Sequence, residues 1–121
     1  ICWNRMVDYT QKAAEQLESE GIEVEILDPR TLKPLDEELI FSSVRKTHRV
    51  VIVEEANPFA SISSEITFRI QQECFDDLDA PVMRVTTDDV PMPYNEPLED
   101  LVKPSVEKIV AAIKRVTYVE N

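Results

Sequence analysis

The sequence predicts a three-layer α/β domain around a mostly parallel sheet of about four strands. Helical and extended segments alternate along the chain, the pattern that gives parallel strands joined by right-handed crossovers. One extended run, Arg49-Val50-Val51-Ile52-Val53-Glu54, has an unbroken branched centre, as a strand covered on both faces requires. The chain has 121 residues, 43% of them hydrophobic and 31% charged, which suits one globular domain or a piece of one.

The elements follow in order. Ile1-Cys2-Trp3 reads as part of a strand, shorter than the usual five or so residues, so the domain is expected to be truncated at its N-terminal strand. Arg5 to Ser19 is a helix, with Met6, Tyr9, Ala13 and Leu17 at helical spacing. Gly21 stands where a helix ends in a left-handed turn. Ile22-Glu23-Val24-Glu25-Ile26-Leu27 alternates and reads as a strand, closed by Asp28-Pro29-Arg30. Asp36 is the N-cap of a second helix, with Glu37 and Glu38 in its first turn and Arg45-Lys46 in its last, as the helix dipole favours.

After the central strand, Ser61 or Ser63 starts a third helix in which Ile62, Ile66, Ile70 and Cys74 fall four apart. Val82-Met83-Arg84-Val85-Thr86 is a further strand. From Asp88 to Pro104 the chain is expected to be irregular, because Pro91, Pro93 and Pro97 remove backbone donors. A last helix is predicted from Pro104, in its first turn, to about Tyr118, with Val106, Ile109, Val110, Ile113 and Val116 on one face.

Charge excludes some functions. Twenty-four acids against thirteen bases give a net charge of −11, and the longest basic groupings are the pairs Arg45-Lys46 and Lys114-Arg115. Such a surface repels a phosphate backbone, so nucleic-acid binding is not expected. The negative field suits a basic partner, and it equally serves solubility. No apolar run approaches the roughly 20 residues of a membrane-spanning helix. Ile1-Cys2-Trp3-Asn4-Arg5 lacks the pattern of a signal peptide.

Candidate chemistry is sparse. Phosphate-cradling loops need several glycines, and Gly21 is the only one. Cys2 and Cys74 form neither a CxxC nor a metal spacing and read as buried thiols. His48 has no partner motif and reads as a strand-entry histidine satisfied by backbone, with a general base as the sharper alternative. Ser42-Ser43 and Ser61 to Ser64 are better read as helix positions and caps than as nucleophiles. Glu54-Glu55 ends the central strand at the edge where open α/β sheets bind ligands. The pair suits acid–base work, or it accepts hydrogen bonds from the free amides of the next helix. Asp88-Asp89 is a weaker pair in a loop entrance.

The segments resemble a known family. Arg5-Met6-Val7, the run from Gly21 to Asp36 that contains Asp28-Pro29-Arg30-Thr31-Leu32-Lys33-Pro34, and Val44 through Glu55 are similar to the carboxyl-terminal domain of transketolase-like enzymes. Leu78-Asp79-Ala80-Pro81, Arg84-Val85-Thr86 and above all Asp89-Val90-Pro91-Met92-Pro93-Tyr94 resemble β subunits of the pyruvate dehydrogenase E1 type. The likeness covers about residues 1 to 117.

The resemblance implies a part in a larger enzyme. Such E1 enzymes are α2β2 heterotetramers that use thiamine diphosphate and magnesium to decarboxylate a 2-oxo acid and acylate a lipoyl group on E2. In that family the cofactor-activating groups of the β subunit lie in the preceding domain, so no catalytic, cofactor or metal residues are expected here, and the isolated chain is expected to be inactive. The domain is expected to support assembly with the E1 α subunit and a second E1 β subunit. It is also expected to dock the basic subunit-binding domain of E2 through Asp79 and the chain's end, Tyr118, Val119 and onward to Asn121; for Asp79 a plain turn role before Pro81 stays open. The family also implies the strand order 2-1-3-4 in this chain, and an antiparallel strand before Ile1 whose loss exposes an edge. Relatives usually carry glycines after the Glu-Glu pair, where this chain has Ala56 to Glu65 with none, so close approach of a neighbouring subunit at this loop is doubtful. Branched-chain 2-oxo acid and acetoin enzymes share the architecture, and a stand-alone acidic binding module is the alternative from another class. Bacterial cytoplasm and mitochondrial matrix both fit.

Overall fold

The computed structural model describes residues 1–119. Helix α1 covers Met6–Glu18, α2 Glu37–Thr47, strand β1 Val51–Val53, α3 Ile62–Cys74, β2 Met83–Val85, α4 Glu96–Val102 and α5 Val106–Thr117. Local chemistry fixes several ends. The Asp36 carboxylate accepts from the Leu39 amide at 3.1 Å, and the Ser105 hydroxyl accepts from the Lys108 amide at 3.2 Å, each satisfying a donor that the first turn leaves free. Gly21 has a φ of 83°, and the amides of Gly21 and Ile22 reach back to the carbonyls of Glu18 and Leu17. This paired return is how a left-handed residue closes a helix.

Side chains of β1 alternate between two cores. Val53, with Cys2 and Val85, packs among Met6, Ala13 and Leu17 of α1 and Ile109, Val110 and Ile113 of α5. Val50 and Ile52 face the other way, onto Ile40 and Val44 of α2 and Ile66, Ile70 and Cys74 of α3. Helices therefore cover both faces of the sheet, the predicted three layers. Ile52, Ile70 and Ile109 are fully buried. Each such side chain contributes about 1.5–3 kcal/mol of transfer free energy.

The regular sheet is smaller than the expected four strands. β1 and β2 pair in parallel, with Val51 opposite Met83 and Val53 opposite Val85. Ile1 and Cys2 continue it as a rung: the Ile1 amine donates to Val51 C=O at 2.8 Å, and the Val53 amide donates to Ile1 C=O at 2.8 Å. Cys2 N–H in turn donates to Leu27 C=O at 2.9 Å. The spatial order is thus the expected 2-1-3-4, but residues 22–27 form no regular strand. The physical reason is the neighbour: Ile1 and Cys2 give that segment one backbone hydrogen bond, too few to define a ladder.

Two further boundaries differ from expectation. The stretch from Asp88 to Pro104 contains α4, because Pro97 lies in the first turn, where its missing donor costs nothing. The last helix begins after Pro104, with Ser105 as its cap.

Candidate functional site

The carboxyl edge of the sheet holds the Glu54-Glu55 pair. Glu54 is 3% exposed, and its Oε2 accepts from the Ser63 amide in the first turn of α3 at 3.2 Å. Ser61, the N-cap of α3, makes no side-chain capping bond, so Glu54 does that work from across a loop. Glu55 turns outward into an ion pair with Arg5. Beside them Arg84 Nη1 donates to Pro58 C=O at 2.9 Å and to Ser64 Oγ at 2.8 Å, and it lies 3.4 Å from the hydroxyls of Ser61 and Ser63. These polar groups answer one another. Of the two readings of the acidic pair, the structure gives Glu54 the capping one. Asp88 lies farther along the edge, where its carboxylate is 3.9 Å from Lys108 and its amide donates to Val102 C=O at 2.8 Å; Asp89 is exposed.

This edge does not fit a diphosphate with its metal. The N-terminus of α3 already receives the Glu54 carboxylate, and a phosphate there meets like charge. Among the described residues no group of three or more His, Cys, Asp or Glu is arranged to hold a metal ion. Both cysteines are buried and unpaired with one another. Burial pushes the Cys74 thiol up, away from the reactive thiolate.

The amino edge of the sheet gathers a different set. The register that pairs Val51 with Met83 sets His48 beside the Asp77–Asp79 turn. His48 is the left-handed C-terminal residue of α2, with a φ of 64°, just before the central strand. Its Nδ1 lies 2.7 Å from Asp77 C=O; a carbonyl only accepts, so Nδ1 carries the proton and donates. Its own carbonyl accepts from the Asp79 amide at 2.8 Å. The histidine thus clamps the acidic turn at both ends.

Asp79 and Tyr118 meet here, with Val119 next in the chain. The Tyr118 hydroxyl donates to Asp79 C=O at 3.3 Å, although the two lie far apart in sequence. Tyr118 ends α5 in the left-handed conformation, φ 57°, and is 68% exposed; Val119 beside it is 44% exposed. The Asp79 carboxylate stands 3.8 Å from Arg49, whose Nε is held by Val116 C=O at 2.9 Å. Asp77 stands 3.8 Å from Arg45. Both pairs are long and partly exposed, so each is worth at most about 1 kcal/mol. Residues 120 and 121, the rest of the expected docking end, lie outside the described residues.

Asp79, Tyr118 and Val119 are the residues that the family resemblance implies for docking; His48 and Arg49, which hold Asp79 and its turn, were not among them. A signal for them existed. Once the strands near 50 and 83 are paired in parallel, residue 48 must lie near residue 80.

The transketolase C-terminal domain model matches residues 1–109. The chain is 48% identical over 110 residues to the pyruvate dehydrogenase E1 component subunit beta of Rhizobium meliloti, covering 91% of this chain and 24% of that protein. It is 46% identical over 107 residues to the acetoin:2,6-dichlorophenolindophenol oxidoreductase subunit beta of Bacillus subtilis, covering 88% of this chain and 31% of that one. Among solved structures, a split-gene transketolase described as an inactive β4 tetramer superposes with a TM-score of 0.82 at 28% identity, over 99% of this chain and 38% of that chain. The chain therefore spans about a quarter to a third of the length of these relatives. It belongs to the transketolase C-terminal domain family.

Proposed function

We propose that this domain is the C-terminal part of a pyruvate dehydrogenase-type E1 β subunit, where it serves subunit assembly and E2 docking. The observation that supports the docking role is the meeting of Asp79 and Tyr118 on one exposed edge, with Val119 next in the chain, at the opposite end of the sheet from Glu54 and Glu55. An exposed carboxylate, loosely held by Arg49, offers a basic domain a charge partner. Tyr118 and Val119 add apolar area beside it. The net charge of −11 favours encounter with such a partner at low salt. In the parent enzyme, which uses thiamine diphosphate and magnesium, the cofactor-activating groups of the β subunit belong to the preceding domain, and the residues here do not fit the cofactor. E1 α and a second E1 β are the assembly partners, in bacterial cytoplasm or mitochondrial matrix.

The test uses the assembled α2β2 enzyme. Asp79→Lys is expected to weaken binding to the E2 subunit-binding domain by about tenfold or more, while decarboxylation with an artificial electron acceptor stays unchanged. Unchanged affinity rejects the assignment. A second reading, an acetoin-type β subunit, is favoured by the Bacillus subtilis relative at nearly equal identity. Turnover of pyruvate against acetoin by the assembled enzyme separates the two.

A further inference from the structure

Two phenylalanines stand in water on the outer face of α3. Phe68 is 60% exposed and Phe75 67% exposed, while Ile66, Ile70 and Cys74 of the same helix are buried in the α2–α3 core. Phe75 caps the helix and keeps its backbone angles, so it continues the same surface. A helix that is apolar on two sides is built to be covered on both. At 3.6 residues per turn the two rings lie about two turns apart on one line, with Gln71 and Gln72 between them, one to each side. All four line one shallow hollow. Arg69, on a flank of this face, is already held by Glu37 and Glu65.

The outward residues, Phe68, Gln71, Gln72 and Phe75, read alike in both directions. That symmetry selects the occupant, because in a two-fold contact one patch serves on both chains. When two such helices meet antiparallel, with the axis crossing between Gln71 and Gln72, Phe68 of each copy lies against Phe75 of the other. Gln71 then meets its own copy, and so does Gln72. A carboxylate or an ammonium in that place meets like charge, whereas a carboxamide both donates and accepts and so pairs with itself. Each ring pair adds about 0.5–1.5 kcal/mol beyond the area it buries.

We propose that this face of α3 binds the same face of a second copy of the chain, antiparallel across a two-fold axis between Gln71 and Gln72. The proposal rests on the assembly role proposed above for what the contact serves, and on α3 alone for where it forms. Two faces of this size bury on the order of 1,000 Å² in total, the low end of specific interfaces, so the isolated chain dimerises weakly, with a Kd on the order of 100 μM. The net charge of −11 on each copy opposes the contact. Salt screens that repulsion and strengthens the dimer, opposite to its effect on docking of a basic E2 domain.

The experiment is sedimentation equilibrium of the 121-residue chain from micromolar to millimolar concentration, at low and high salt. Phe68→Glu and Phe75→Lys are each expected to weaken self-association at least about tenfold, since each homodimer sets a charge against a partner's ring twice. Mixed one to one, the two variants are expected to recover association to within about threefold of the unmodified chain. In the mixed dimer one crossing holds a carboxylate against an ammonium and the other keeps ring against ring, which only the antiparallel register allows. A readout that needs no variant is NMR of the unmodified chain, in which amide shifts at Phe68, Gln71, Gln72 and Phe75 are expected to move with concentration. A chain that stays monomeric, a dimer that both variants leave intact, or a mixture that fails to recover overturns the proposal. None of these outcomes touches the assembly role itself, which formation of the α2β2 enzyme tests separately. Shifts at the four residues that appear only when E1 α or the E2 domain is added overturn it as well, and give the face to that partner.

Discussion

Glu54 offers the sharpest test of how this domain holds its carboxyl edge. Replacing it with alanine removes the acceptor for the Ser63 amide and leaves that donor buried, since Ser63 is fully covered. A hydrogen bond to a charged group contributes about 1.5–3 kcal/mol. A carboxylate at a helix N-terminus adds about 0.3–1 kcal/mol more. Glu54→Ala is therefore expected to cost about 2–4 kcal/mol. Glu54→Gln keeps an acceptor of the same shape, loses the charge and is spared the desolvation of that charge, so its cost is expected within about 1 kcal/mol. Urea unfolding of the 121-residue chain measures both, read as a shift in midpoint at constant slope. If alanine proves no worse than glutamine, Glu54 is not the cap of α3.

Other substitutions probe the layers and the edges. Ile70→Ala, at a fully buried position between α3 and the sheet, is expected to cost about 2–5 kcal/mol by the same assay. Glu25 is held below the usual carboxylate range, first by its hydrogen bond with the Lys46 ammonium and then by the Ser43 hydroxyl at 2.8 Å. A lowered folded value means that its contribution is present above the unfolded value near 4.5 and is lost as pH falls through the folded one. Glu25→Gln is thus expected to cost about 0.5–1 kcal/mol at pH 7 and almost nothing well below pH 4, and a cost independent of pH contradicts the pairing. Cys2 and Cys74 are expected to react with a thiol reagent at least ~100-fold more slowly in the folded chain than in denaturant, measured by absorbance of the released chromophore.

Much of the fold was legible because local chemistry and burial point the same way. Asp36 carried a cap signal and caps, and the branched run from Val50 to Val53 lies between two helical layers as such a run must. The reading failed where a partner outside the segment decides the outcome. Residues 22–27 alternate correctly, yet a strand is defined by its neighbour, and only Ile1 and Cys2 stand beside it. Helix α4 was hidden by its prolines; the Lys108 ammonium, which donates to the carbonyls of Leu101 and Lys103, closes its end from a different helix. Asp79 and Tyr118 were singled out through resemblance alone, since nothing in their local sequence announces that they meet. His48 is satisfied by backbone as expected, but its clamp on the Asp77–Asp79 turn was not legible because it exists only after two strands have paired.

With a single glycine, this chain ends two of its helices on aromatic residues held in a conformation that favours glycine. Glycine at His48 or Tyr118 relieves about 1 kcal/mol of backbone strain at each site, against a similar loss in chain entropy and in hydrogen bonding. The same two changes delete the clamp on the acidic turn and the ring that reaches Asp79. Backbone ease and an ordered acidic turn therefore make opposite demands on the same two positions, and the chain has kept the side chains that hold the turn.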